Sequence, residues 1–107
     1  MRVELLWWDG CPSHPETLAD LRTVLRDEGV DAEVQLTEVE TDEQAQREHF
    51  PGSPTIRLDG EDAFPAEPGD PFSLTCRIYH LRDGRVSPTP DPEDIRAALR
   101  RHLDEHR

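Results

Sequence analysis

Cys11 is the residue in this chain whose setting most favours chemistry. It follows the apolar run Leu5-Leu6-Trp7-Trp8 and the breaker Asp9-Gly10, and it precedes Pro12-Ser13-His14, where a helix is expected to begin. Unpaired N–H groups at a helix start carry about half a positive charge, which favours a thiolate over a thiol. A thiolate there can attack a disulfide sulfur or capture a soft electrophile. His14, three residues on, could accept or relay a proton from Cys11. The second sulfur, Cys76, lies far along the chain beside a Pro/Gly-rich stretch, so it reads equally well as a core residue or as a partner thiol. Cys11, Cys76 and His14 would also make a three-ligand set for zinc or copper, although the paired short Cys spacings of common metal sites are absent.

Composition bounds the rest. The chain has 107 residues, one domain's worth, over residues 1–107. Its 24 acidic residues oppose 12 basic ones, for a net charge of -12, and every basic residue is arginine. Such a surface repels phosphates, which argues against nucleic acid and anionic membranes as partners. The first apolar run is too short for a signal sequence, and no stretch is long enough to span a bilayer, so a cytoplasmic location is expected. In a reducing compartment two cysteines are more often reactive or metal-binding than a structural staple.

The elements that must position Cys11 follow in order. Residues 2–8 read as a central strand buried on both faces. A helix is expected from Ser13 or His14 to Glu28, with Leu18, Leu21, Val24 and Leu25 on its apolar stripe and Gly29 ending it. Residues 32–39 alternate, with Ala32, Val34 and Leu36 on the buried side of a strand near the sheet edge. Thr41 with Gln44 opens a short helix that His49-Phe50 closes. Thr55 to Leu58, the Asp59-Gly60 turn and Asp62 to Phe64 form a hairpin. Residues 65–75 are a Pro/Gly-rich loop, Cys76 to Leu81 an extended segment, and Val86 to Pro90 a linker without a clear period. Asp91 or Thr89 caps a last helix with Pro92 in its first turn and Ile95, Ala98, Leu99 and Leu103 buried. One of Trp7 and Trp8 is expected in the core and the other at the surface. Tyr79 reads as packing with its hydroxyl at the sheet margin, and His80, His102 and His106 read as surface residues.

This order, with Cys11-Pro12 after the first strand and Ser53-Pro54-Thr55 before a Gly hairpin, resembles the thioredoxin and glutaredoxin superfamily. The resemblance implies a single thioredoxin-like α/β domain with a mixed sheet: a βαβ unit, a β-hairpin and a C-terminal helix, plus an extra segment around Cys76. It implies a cis Ser53–Pro54 bond beside Cys11, and a substrate groove at Trp8, Pro12, Ser53 and Pro54. Dithiol members carry Cys-x-x-Cys; here the fourth position is His14, so a second sulfur could come only from Cys76, which the loop after Phe64 could carry towards Cys11. A looser likeness links Cys11-Pro12-Ser13-His14 and Thr75-Cys76-Arg77 to the thioredoxin-like core of alkylmercury lyases. That likeness implies mercury held by Cys11 and Cys76, with His14 at the position of an acidic residue; the N-terminal domain of those lyases is lacking.

Three functions stay open on these residues. The first is a thiol-dependent redox protein with Cys11, His14 and Cys76 as its chemical residues, no cofactor, and small thiols or protein disulfides as partners. The second is an organomercurial lyase-like or soft-metal binder that takes thiophilic metal species. The third is a redox-inert binding module.

Overall fold

The computed structural model describes residues 1–106. Val3, Leu5 and Leu6 are fully buried, so the first strand, β1 (Val3–Trp7), sits inside the molecule with apolar side chains on both faces. Its neighbours are β2 (Val34–Glu38), parallel to it, and β3 (Thr55–Leu58), antiparallel, with Leu5 opposite Leu36 and Ile56. The hairpin strand β4 (Glu61–Asp62) pairs with β3, giving a mixed sheet of order β2-β1-β3-β4.

Successive residues of β1 point to opposite faces, and the two faces have different covers. Val3 and Leu5 pack with Ile56, Leu58 and the stripes of helices α1 (His14–Asp27) and α3 (Pro92–Glu105). Leu6 packs on the other face with Val39, Ala45 and Phe50, under helix α2 (Asp42–Arg47). Helices on both faces of a sheet make this a compact α/β domain.

Local signals account for the helix limits. Pro15 stands in the first turn of α1, and Gly29 at φ 70° lets the chain leave it. The Thr41 hydroxyl accepts from the Gln44 N–H at 3.0 Å, and the Gln44 side chain accepts from the Glu40 N–H at 3.0 Å. Asp91 caps α3 by accepting from the Glu93 N–H at 2.9 Å. Arg96 and Arg100 of α3 grip Glu28 at the end of α1, at 2.9 and 2.6 Å. These contacts hold the Glu28 carboxyl down to about 2, the Arg100 and then the Arg96 hydrogen bonds being the main causes. No helix among the described residues is long and apolar enough to cross a membrane.

Several expectations are corrected. Leu36 is half exposed, because β2 is the edge strand of the sheet. Neither tryptophan is a core residue or fully exposed: both are half-buried, Trp7 stacked on His14 and Trp8 beside the Phe50 cluster. The returning hairpin strand is only Glu61–Asp62. Val86 to Pro90 is not all linker: β6 (Val86–Ser87) pairs with β5 (Tyr79–His80) across the Asp83-Gly84 turn. His102 is buried, not at the surface, because the Asp59 and Glu61 carboxylates of the hairpin supply partners for its ring.

Candidate functional site

The turn after β1 delivers Cys11. Its N–H donates to the Trp8 carbonyl at 3.0 Å. The Trp8 indole lies over Gly10, where any Cβ would overlap the ring, so the turn needs glycine there. Cys11 thus sits at the C-terminal end of β1, just ahead of α1, and is only 2% exposed.

Cys11 and Cys76, 65 positions apart in the sequence, form a disulfide with their Cα atoms 5.6 Å apart. That separation is in the usual range for a disulfide. The question of where a second sulfur could come from is therefore answered by the long loop, which brings Cys76 back to the first. Cys76 itself is exposed.

Ser53 is the hub that aligns the two cysteine-bearing segments. Its N–H donates to the Thr75 carbonyl at 2.8 Å, and its carbonyl accepts from the Arg77 N–H at 2.9 Å. Together these make a parallel bridge between Ser53 and Cys76. The Ser53 hydroxyl accepts from the Trp8 N–H at 3.0 Å. Gly52, at φ 146°, lets the strands approach, since a Cβ there would stand 2.7 Å from Arg77 Cγ. The Ser53–Pro54 peptide bond is cis. Cys11 Sγ lies 3.7 Å from both the Ser53 carbonyl oxygen and the Ser13 hydroxyl.

The other expected residues are placed as follows. Ser53 and Pro54 are buried, Trp8 is half-buried and Pro12 is exposed. The His14 ring stacks on Trp7 at 4.1 Å between centroids, and its Nδ1 is buried without a hydrogen-bond partner. A cavity of about 590 Å³ opens beside Cys76, lined among others by Pro51, Pro65, Arg77, Ile78 and His80.

One supporting residue, Arg77, escaped the sequence, and Tyr79 does more than pack. Arg77 turns inward next to Cys76 and donates to Asp62 at 3.0 Å, to the Phe64 carbonyl at 2.5 Å and to Thr55 Oγ1 at 3.4 Å. Burial pushes the Asp62 carboxyl up from its ordinary value, and the Arg77 charge only partly offsets this. Tyr79 packs as expected, and its hydroxyl is buried too, donating to the Pro54 carbonyl at 2.5 Å. Burial pushes that phenol well above its ordinary value. Arg77 also lies over the Tyr79 ring, 5.2 Å from its centroid. The available signal was an arginine and a tyrosine in a short segment directly after a cysteine, with an unmatched aspartate in the preceding hairpin.

Comparison of the chain with protein-family models, with curated proteins and with solved structures found no match.

Proposed function

We propose that this is a thioredoxin-like domain acting as a thiol–disulfide redox protein, with Cys11 and Cys76 as its two-electron couple. The observation that carries the reading is the disulfide between two cysteines brought together by the bridge at Ser53. The sheet order β2-β1-β3-β4, a cysteine ahead of α1 and a cis proline entering β3 support the fold half of the proposal.

Exposure favours a particular order of events. The sequence suggests that Cys11 attacks and Cys76 resolves; the burial of Cys11 and the exposure of Cys76 favour the reverse. In the reduced protein the Cys76 thiolate attacks a substrate disulfide R–S–S–R′. A Cys76–S–R bond forms, and R′S⁻ leaves and takes a proton from water. The Cys11 thiolate then attacks Cys76 Sγ, closing the Cys11–Cys76 bond and expelling RS⁻. The substrate gains two electrons and the protein loses two. For reset, one external thiolate attacks the exposed Cys76 Sγ and expels Cys11, and a second thiol releases the mixed disulfide. Cys11 suits the leaving role, because attack falls on the exposed Cys76 Sγ and the Ser13 hydroxyl, 3.7 Å from Cys11 Sγ, can donate to the departing thiolate.

The test is a trapping experiment read by mass spectrometry. With oxidised glutathione, Cys11→Ser should accumulate a mixed disulfide on Cys76, and Cys76→Ser should react far more slowly. Wild-type protein should form the internal disulfide and turn over a small disulfide with glutathione. A reduced pair that stays open in an oxidising glutathione buffer would refute the redox reading. A mixed disulfide trapped more readily on Cys11 would refute the order.

The convergence of two sulfurs from distant parts of the chain also supports a second reading, in which the reduced pair clamps one thiophilic cation such as mercury. His14 is then the candidate proton donor to a departing carbon. Stoichiometric mercury binding that needs both cysteines, with hydrocarbon release from an organomercurial lost in His14→Ala, separates this reading from the first.

A further inference from the structure

A second cluster lies at the opposite end of β1 from Cys11. The Asp59-Gly60 turn packs beside the start of β1, where Asp59 Oδ1 accepts from the Arg2 N–H at 2.7 Å. Its other oxygen, Oδ2, is 2.9 Å from Nε2 of His102, a residue only 6% exposed near the end of α3. An ionised carboxylate accepts hydrogen bonds only, so the His102 proton sits on Nε2. The lone pair of a neutral His102 is then on Nδ1, which faces Glu61 Oε2 at 3.8 Å. Two acceptors thus face each other across a gap wider than a hydrogen bond, which a cation could fill.

His106 completes the cluster. It lies one helical turn beyond His102 and stacks on it at 4.0 Å between centroids. Its Nδ1 is 2.9 Å from the His102 carbonyl, which can only accept, so the His106 proton is on Nδ1 and its lone pair on Nε2. One ligand atom from each of Glu61, His102 and His106 lies within 4.8 Å of the others.

We propose that Glu61, His102 and His106 form a binding site for a divalent transition cation of the zinc type, with Asp59 as the carboxylate that orients His102. Three features support it. The donor set is two imidazoles and a carboxylate, which suits zinc and its neighbours. Both tautomers are set by hydrogen bonds to a carboxylate and a backbone carbonyl, which is how partner groups fix metal-bound histidines. Zinc held at ~2.0–2.2 Å by nitrogen and oxygen needs ligand atoms roughly 3.3 Å apart in a tetrahedron. The Nδ1 to Oε2 gap of 3.8 Å is close to this, and the exposed Glu61 side chain can close the difference. The net charge of -12 raises the local concentration of cations. Bound metal would tie the β3–β4 hairpin to α3, leaving a fourth position for water.

The competing occupant of the gap is a proton, which would make His102 an imidazolium between two carboxylates. Zinc titration of the full oxidised chain, whose thiols are tied in the disulfide, distinguishes the two. Calorimetry should show one equivalent of Zn²⁺ bound, weakened about 10-fold or more in Glu61→Gln and His106→Ala and about 10–100-fold in Asp59→Asn. Both ligand variants alter exposed side chains, and circular dichroism checks that they fold. Imidazole nitrogen NMR should show Zn²⁺ on the Nδ1 of His102 while Nε2 keeps its proton. No stoichiometric binding, binding unchanged in folded His106→Ala, or a His102 that keeps both ring protons in excess Zn²⁺ would each overturn the site.

Discussion

Arg77→Met is the sharpest probe of how the cysteine site is supported. The substitution keeps most of the side-chain volume and removes the charge. It strips Asp62 of its cationic partner and deprives the Phe64 carbonyl and Thr55 Oγ1 of a donor. The Arg77 and Asp62 side chains are 11% and 20% exposed, so water offers little replacement. Breaking a buried pair by removing one partner costs ~3–5 kcal/mol, and the residual exposure of Asp62 puts this case near 3. The pH dependence carries a definite sign. The Asp62 carboxyl is already raised in the folded protein by burial, and losing Arg77 raises it further. A carboxyl that binds its proton more tightly when folded than when unfolded adds stability at low pH, and this is lost as pH rises through the folded value. The loss in Arg77→Met should therefore be smaller at pH 4 than at pH 7. Denaturant unfolding of oxidised wild type and variant at the two pH values measures this. Adding Asp62→Asn to Arg77→Met should recover part of the loss at pH 7. A penalty independent of pH, with no recovery in the double variant, would refute the buried-pair reasoning.

Other expectations follow from single contacts. Tyr79→Phe leaves the buried Pro54 carbonyl without its hydroxyl donor and should cost about 1–2 kcal/mol in denaturant unfolding, without changing the slope. The disulfide closes a loop between residues 65 apart in sequence number, so a reductant should lower wild-type stability by about 4 kcal/mol and leave Cys76→Ser unaffected. Glu28→Gln should be less stable than wild type at pH 6. Because the folded carboxyl is depressed to about 2, that difference should persist below pH 4.5 and vanish only as pH falls through about 2, which thermal melts across this range can follow.

The regular frame was readable because local signals agreed with tertiary ones. The Thr41–Gln44 cap, the Gly29 stop and the stripe Leu21, Val24, Leu25 all lie where the spacing put them. Leu36 misled because alternation reports which side of a strand is apolar, not whether that side is covered. The β5–β6 pair was missed because two-residue strands carry no period. The pairing of Cys11 with Cys76 stayed open because it depends on the path of an irregular loop. That path is set by hydrogen bonds to Ser53 and by an inward-turned arginine, neither of which leaves a periodic trace. His102 looked like a surface residue because its partners, Asp59 and Glu61, lie 43 and 41 positions away in a turn that reads as solvent-facing.

If the sulfur pair cycles as proposed, the three hydrogen bonds at Ser53 bear on how fast it does so. They join backbone groups at Thr75 and Arg77, and through the hydroxyl at Trp8, without involving either sulfur. These bonds would keep the segments carrying Cys11 and Cys76 side by side in the reduced protein as well. Each thiol meets the other at the effective molarity of a preassembled reaction, not that of a 65-residue loop searching for its ends. A mixed disulfide on Cys76 would therefore be resolved from within before a second solution thiol arrives, and the intermediate would be short-lived unless Cys11 is removed.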